Sequence, residues 1–247
     1  MGKGPETGFL NRTLTLNSET YRYQVYVPEQ WSPEKKWPVV LFLHGAGERG
    51  QDGLVQTEVG IGSAIRQDRD RFPCIVVMPQ CRRRLWWVHP QMQELALKAL
   101  ESALQEFNGE AARIYLTGLS MGGYGTWRLA ANHPGKFAAL APICGGIRPP
   151  PRIRQRRGDS LGSLTTPGED PFAFTAQKIG KTPVWIFHGG EDRTVPVEES
   201  RKMVEALQAA GANVTYTEYE GVGHNSWDDA YAEPDLMTWL LSHRNHK

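Results

Sequence analysis

Apolar runs without polar alternation recur along this chain of 247 residues. Each run ends at a glycine or proline, and most are followed by a segment with helical periodicity. Strands that are apolar on both faces are typical of a parallel sheet with helices on both sides. The pattern therefore predicts an α/β fold. The runs lie at residues 39–43, 74–78, 114–116, 137–143, 184–187 and 214–219.

Two further stretches, residues 10–16 and 21–27, alternate between apolar and polar side chains. Asn17-Ser18 lies between them as a turn, so we expect an antiparallel pair at the start of the chain. With the six apolar runs this gives an eight-stranded, mostly parallel sheet. About six helices are expected, with the clearest periodicity at residues 91–107, 123–132, 197–210 and 235–242. We predict a single domain over residues 1–247.

Residues 146–180 interrupt the alternation of apolar runs and helical segments. The segment carries three consecutive prolines and then several arginines, and it shows no strong periodicity. A long irregular segment that follows a strand in a compact domain is often a functional insertion, and it can also be a solvated loop. The segment is therefore predicted to be either a lid over the ligand-binding edge of the sheet or a plain surface loop.

Charge and composition limit the partners of the chain. There are 28 Lys and Arg residues against 27 Asp and Glu residues, a net charge of +1. This balance gives no general attraction for nucleic acid or for a membrane surface. The first ten residues hold no apolar core of signal-peptide length, so we expect a cytoplasmic protein or a trimmed secreted form. The cysteines at positions 74, 81 and 144 are expected to be reduced and mostly buried.

The pentapeptide Gly118-Leu119-Ser120-Met121-Gly122 lies between an apolar run and a helical segment. A serine placed at such a strand-to-helix turn is held exposed in a strained bend. Glycines are needed on both sides because a Cβ atom there would collide with neighbouring backbone. A serine hydroxyl also needs a base to take its proton, and that base needs an acid to orient it.

Both partners follow later strands. Asp192 comes five residues after the run at 184–187, and His224 follows the last run. The carboxyl ends of parallel strands meet at one edge of a sheet, so Ser120, Asp192 and His224 are predicted to form a triad. His188, at the end of its strand, is expected to be structural.

Acyl transfer needs two N–H donors for the developing oxyanion. The first is expected from Met121, at the start of the helix after Ser120. The second is expected from Ala46, with Gly47 as the next choice, in the loop that follows the run at 39–43. His44 is predicted to brace this loop by hydrogen bonds rather than to act as a base.

These motifs together resemble the α/β-hydrolase superfamily, and more closely its prolyl-oligopeptidase-like and dienelactone-hydrolase-like esterases. Feruloyl esterases, acetyl xylan esterases and polyhydroxybutyrate depolymerases share the arrangement. The resemblance implies a serine carboxylesterase in which Ser120 is the nucleophile, His224 the general base and acid, and Asp192 its orienting group. It implies no metal or organic cofactor. The matching motifs are His44-Gly45-Ala46-Gly47, residues 118–123, His188-Gly189-Gly190-Glu191-Asp192 with Val195-Pro196, and Gly223-His224.

The expected substrate is a small-molecule ester with a short-chain or hydroxycinnamoyl acyl group. Aromatic walls suit such an acyl group, and Trp86, Trp87 and Trp227 are the candidate substrate-binding residues. Trp86 and Trp87 follow the run at 74–78, and Trp227 lies three residues after His224. A small peptidase or amidase is the first alternative, and a non-catalytic binding module of the same fold is the second.

Overall fold

The computed structural model describes residues 6–149 and 169–245. Within these ranges eight strands form one sheet, and every one of them was expected from the sequence. The strands are β1 (Gly8–Leu16), β2 (Glu19–Val27), β3 (Trp37–Leu43), β4 (Ile75–Pro79), β5 (Gly109–Leu119), β6 (Ala139–Ile143), β7 (Val184–Gly189) and β8 (Val214–Tyr219). Their order across the sheet is β1-β2-β4-β3-β5-β6-β7-β8.

The sheet is antiparallel at one side and parallel elsewhere. β1 pairs with β2, and β2 with β4, in antiparallel registers, whereas the pairs from β4 and β3 through to β7 and β8 are all parallel. The predicted α/β class with an eight-stranded, mostly parallel sheet is confirmed. β5 begins at Gly109, before the apolar run at 114–116 that predicted it. The first five residues of the strand are partly buried or exposed and form no apolar run, so the apolar pattern did not indicate them as strand.

Seven α-helices lie in the described ranges, five between strands and two after the last strand. They are α1 (Ile61–Gln67), α2 (Pro90–Glu106), α3 (Met121–Asn132), α4 (Pro171–Ile179), α5 (Glu198–Ala209), α6 (Trp227–Ala232) and α7 (Leu236–Ser242). The four helices with clear periodicity were placed to within about two residues. Helices α1, α4 and α6 are short, at seven, nine and six residues, and no bounds were predicted for them.

Helix α4 corrects the expectation that residues 146–180 are irregular throughout. Asp170 caps this helix, since its side chain accepts a hydrogen bond from the backbone N–H of Phe172 at 2.9 Å. Pro171 occupies the first turn, where a missing N–H costs nothing. The remaining centre of the segment, residues 150–168, and with it the lid hypothesis, lies outside the described residues.

The sheet is covered by helices on both faces. Two hydrophobic core clusters lie on opposite faces of the sheet, and alternate residues of β3 belong to different ones. Val39 and Leu41 belong to the first cluster, and Val40 and Phe42 belong to the second. Helices α2, α3, α4 and α5 bury side chains in the first cluster, and α1, α6 and α7 do so in the second. This double cover explains why the central strands show apolar runs rather than alternation.

Cys74, Cys81 and Cys144 are buried free thiols, as predicted. In the ranges that the structure describes, none of the helices combines the length and apolarity needed to cross a bilayer.

Candidate active site

Ser120 occupies a sharp turn between β5 and α3. Its backbone has φ 51° and ψ −114°, in the region that L-residues rarely adopt. A Cβ on Gly122 would overlap the carbonyl oxygen of Leu43, and one on Gly118 would lie 2.5 Å from the carbonyl oxygen of Gly122. The two glycines are therefore required by close backbone approach, and the turn holds the partly exposed serine at the carboxyl edge of the sheet.

The structure brings the three predicted residues into one hydrogen-bonded chain. Ser120 Oγ lies 2.9 Å from His224 Nε2, and His224 Nδ1 lies 2.6 Å from Asp192 Oδ2. The carboxylate can only accept, so Nδ1–H donates to Asp192 and Nε2 is left to accept the serine hydroxyl. His224 lies in the loop after β8 and Asp192 in the loop after β7. The geometry is that of a nucleophile, a base and an orienting acid.

Asp192 remains charged despite its burial. Burial alone would raise the pKa of this carboxyl, but hydrogen bonds from His188, His224 and the backbone N–H of Val195 outweigh it and hold the pKa well below its usual range. The Oδ1 atom accepts from the N–H groups of Thr194 and Val195, at 2.7 and 2.9 Å. The loop thus presents a fixed negative charge to His224.

His188 also contacts the acid, which the sequence interpretation of a structural histidine did not foresee. Its Nε2 atom lies 3.2 Å from Asp192 Oδ2 and 3.1 Å from the carbonyl oxygen of Val195, and its Nδ1 atom lies 2.7 Å from Ser200 Oγ. The signal available in the sequence was its place at the end of β7, four residues before Asp192.

His44 braces the loop that follows β3. Its Nδ1–H donates to the carbonyl oxygen of Gly45 at 2.6 Å, and its Nε2 atom accepts from the N–H of Cys81 at 2.9 Å. Complete burial lowers the pKa of His44 to about 4, so the ring is neutral at pH 7. Both ring nitrogens are occupied, as the bracing prediction requires.

The rest of this loop is held by side-chain donors that bind its backbone carbonyl groups. Arg49 Nε donates to the carbonyl oxygen of Ala46 at 2.8 Å, and Gln80 Nε2 donates to that of Glu48 at 3.0 Å. A Cβ on Gly45 would lie 2.8 Å from Leu119 Cδ1, which shows how closely the loop approaches the nucleophile turn.

The expected oxyanion donors lie on the two segments that meet here. Met121 is the first residue of α3, where backbone N–H groups have no partner within the helix. Ala46 is partly exposed and Gly47 is exposed, both in the braced loop. Their role in binding an oxyanion stays a prediction.

Trp86 and Trp87 differ from the expected aromatic walls. Trp87 is 1% exposed, and its indole N–H donates to the carbonyl oxygen of His44 at 2.9 Å. Trp86 is 6% exposed and packs edge-on against Tyr124, with 5.9 Å between ring centroids. The chain after β4 turns both indoles inward, so Trp87 supports the loop after β3 from beneath and Trp86 packs against α3.

Trp227 lies at the site itself. Its ring stands at 89° to the His224 imidazole with centroids 5.5 Å apart, and it is partly exposed at the start of α6. Of the three tryptophans expected to bind substrate, it has the exposure and the position for such a contact.

The site contains one group of potential metal ligands. Among the described residues, ligand atoms of Cys144, Asp192 and His224 lie within 4.8 Å of one another. Asp192 and His224 are already hydrogen-bonded, and burial raises the pKa of the Cys144 thiol to about 12. A neutral thiol is a weak metal ligand, so the three residues fit a hydrogen-bonded pair packed on a thiol better than a metal centre.

Comparison with known proteins agrees with this geometry. The family described as "Putative esterase" matches residues 15–233, nearly the whole chain and all the site residues discussed above. The chain belongs to this esterase family. Its fold is the α/β-hydrolase fold, as the resemblance in the sequence implied. The chain spans less than half the length of the curated relatives described as secreted protein, depolymerase or carboxymethylenebutenolidase that it matches.

Individual relatives of the chain agree with the family match. A crystal structure described as a thermostable esterase is 33% identical, with a TM-score of 0.79 over 96% of the chain and 63% of that structure. The feruloyl esterase module from Clostridium thermocellum, complexed with sinapinate, shares the fold at 17% identity, with a TM-score of 0.70 over 97% of the chain and 89% of the module. A "Putative carboxymethylenebutenolidase" of Salmonella typhimurium is 32% identical over 136 residues, which cover 55% of the chain and 45% of that relative.

Proposed function

We propose that this chain is a serine carboxylesterase that cleaves small-molecule carboxylic esters through an acyl-enzyme. The observation that carries the proposal is the hydrogen-bonded chain from Ser120 through His224 to Asp192, with the serine on a strained strand-to-helix turn. Membership of an esterase family supports the same reaction class.

The proposed reaction follows from the donors and acceptors of the triad. Ser120 Oγ attacks the ester carbonyl while its proton moves to His224 Nε2, and the charge of Asp192 stabilises the imidazolium that forms. His224 then gives this proton to the departing alcohol oxygen, which leaves the acyl group on Ser120. In the second half, His224 takes a proton from water, and the water oxygen attacks the acyl carbonyl. The bond between the acyl carbon and Ser120 Oγ then breaks while His224 returns the proton to Ser120, which releases the acid and restores the free enzyme.

The tetrahedral intermediates place a negative charge on the former carbonyl oxygen. We assign its two donors to the N–H groups of Met121 and Ala46, with Gly47 as the neighbouring alternative to Ala46. The N-terminal end of α3 adds its positive dipole to the Met121 donor. The steps use protein groups and water, so the mechanism requires no cofactor.

The proposed acyl groups are short-chain or aromatic, of the hydroxycinnamoyl type. The partly exposed Trp227 ring beside His224 supports an aromatic acyl group, because flat rings gain from edge or offset contacts with an indole. The shared fold with a feruloyl esterase module is compatible with this substrate class. Cleavage of a peptide or amide is the alternative that the substrate panel below tests.

The deciding experiment compares the wild type with Ser120→Ala on p-nitrophenyl acetate, methyl ferulate and a p-nitroanilide. We expect turnover of both esters to fall by about 10⁴-fold or more in the variant, because the nucleophile is lost. Ser63→Ala, a partly exposed serine on α1, is the matched control and should keep full activity. Equal activity of Ser120→Ala and wild type would refute the mechanism, and preferred cleavage of the anilide would favour an amidase.

A further inference from the structure

The hydrogen-bonded chain does not end at Asp192. Its Oδ2 atom accepts from two imidazoles, His224 Nδ1 at 2.6 Å and His188 Nε2 at 3.2 Å. His188 is completely buried, and its other nitrogen lies 2.7 Å from the hydroxyl of Ser200 on α5. Five side chains thus form one continuous path from the partly exposed nucleophile into the interior of the protein.

The contacts of His188 select one tautomer. Its Nε2 atom faces two acceptors, Asp192 Oδ2 and the carbonyl oxygen of Val195, so this nitrogen carries the proton. The Nδ1 atom then accepts from Ser200, whose hydroxyl donates at 2.7 Å. In this arrangement both ring nitrogens of the buried histidine have a hydrogen-bond partner.

We propose that His188 is a positioning residue for catalysis, which holds the Asp192 carboxylate and limits how much of its charge reaches His224. This inference rests on the proposed function, since it assigns His188 an effect on the base of that reaction. With two backbone N–H donors on Oδ1 and two imidazole donors on Oδ2, the carboxylate is held at both oxygens.

Loss of the His188 donor has two physical consequences. The carboxylate loses a restraint and can rotate away from His224, and misplacement of a catalytic group by about 1 Å can cost 10²-fold in rate. In addition, Oδ2 then bonds to His224 alone and stabilises its protonated form more strongly. Three other titratable groups face Asp192, His224 and His188. Cys144 packs on Asp192 and His224, and Tyr124 on α3 interacts electrostatically with Asp192. Glu218 is the register partner of His188 on β8 and is bound to Arg201.

The test compares His188→Leu with His188→Gln. Leucine removes the donor, whereas the glutamine amide can place an N–H close to the position of Nε2. For His188→Leu we expect kcat on p-nitrophenyl acetate to fall by about 10- to 100-fold with KM changed less than about twofold, and we expect His188→Gln to recover most of the loss. The acid limb of the kcat/KM profile of His188→Leu should move to higher pH, because His224 stays protonated longer.

Matched controls are His133→Leu and His133→Gln. His133 follows the last residue of α3, a helix of 12 residues, and therefore lies about 18 Å from the Ser120 turn. Both control variants should keep the wild-type kcat and pH profile. If His188→Leu fails to fold, Ser200→Ala removes the hydroxyl that holds the Nδ1 side of the His188 ring. The ring then has more freedom to move away from Asp192, and the acid limb should shift in the same direction by a smaller amount.

A purely structural role predicts a different result. His188→Leu would then lower Tm while kcat per folded enzyme and the acid limb stay at wild-type values, and this outcome overturns the inference. Nitrogen-15 NMR of the histidine rings gives a readout independent of activity. It should show His188 protonated at Nε2 only, and the His224 Nδ1 proton should shift in His188→Leu. Protonation of His188 at Nδ1 would overturn the inference, whereas an inactive wild type with the expected spectra would overturn the proposed function alone.

Discussion

His44 Nε2 accepts a hydrogen bond from the backbone N–H of Cys81 at 2.9 Å, and this contact joins the loop after β3 to the chain after β4. Because the acceptor must be unprotonated, the contact exists only while the ring is neutral. Burial lowers the pKa of His44 to about 4, against about 6.5 for an exposed histidine. The loop expected to supply an oxyanion donor is therefore linked to the protonation state of a buried ring.

The first prediction concerns stability at acid pH. Between pH 6.5 and 4 the unfolded chain binds a proton at His44 that the folded chain does not, so the free energy of unfolding falls as the pH is lowered. The contribution is complete above about pH 6.5, and about 3 kcal/mol of it is lost by pH 4. Urea denaturation at pH 7.5 and pH 4 measures it.

His44→Gln is the matched comparison for this prediction, because glutamine offers an acceptor to Cys81 and does not titrate. The loss of stability from pH 7.5 to pH 4 should be about 3 kcal/mol smaller in the variant. Asp192 also loses stabilisation in acid, but with its depressed pKa this loss falls mainly below pH 4 and is common to both proteins. Equal losses in the two proteins would contradict a neutral buried His44.

The second prediction concerns Asp192→Asn. Asparagine cannot provide a charge to the imidazolium, and its amide N–H groups favour the wrong tautomer of His224. We expect kcat on p-nitrophenyl acetate to fall by about 10⁴-fold with little change in KM. The control is Asp235→Asn, an exposed position, which should behave as wild type. A loss below about tenfold would mean that another group orients His224.

The sequence placed the triad because the positions of Ser120, Asp192 and His224 depend only on strand order and on the shared edge of a parallel sheet. It could not place Trp86 and Trp87, since a position after a strand does not determine which way a side chain points. The contact between His188 and Asp192 depends on the conformation of the loop at residues 190–195. Hydrophobic periodicity does not predict the conformation of a loop.

Helix α4 had a signal that the irregular neighbouring sequence obscured. Its buried residues Phe172, Thr175, Ala176 and Ile179 follow helical spacing, and Asp170-Pro171 is a typical helix start. The proline and arginine content of the preceding residues is typical of a loop, and it favoured the prediction of one irregular segment over residues 146–180. A helix start signal such as Asp170-Pro171 therefore predicts a helix even where the composition of the surrounding residues favours a loop.

The third prediction concerns Gly122→Ala. The added methyl group would overlap the carbonyl oxygen of Leu43, a backbone atom of a buried strand that cannot move aside cheaply. We expect a loss of about 3 kcal/mol in the free energy of unfolding, measured by urea denaturation. Gly223→Ala is the control, because a Cβ at that position meets nothing within 4 Å, and its effect should stay within about 0.5 kcal/mol. Similar values for the two variants would show that the turn relaxes.

The fourth prediction separates two roles of Trp227. If its partly exposed ring contacts an aromatic acyl group, Trp227→Leu should lower kcat/KM for methyl ferulate by about tenfold and that for p-nitrophenyl acetate by about twofold or less. Trp239→Leu is the control, since that ring packs against Trp185 and His243 in the second cluster. An equal loss on both esters would instead mean that Trp227 supports the His224 ring, because a misplaced base slows every substrate alike.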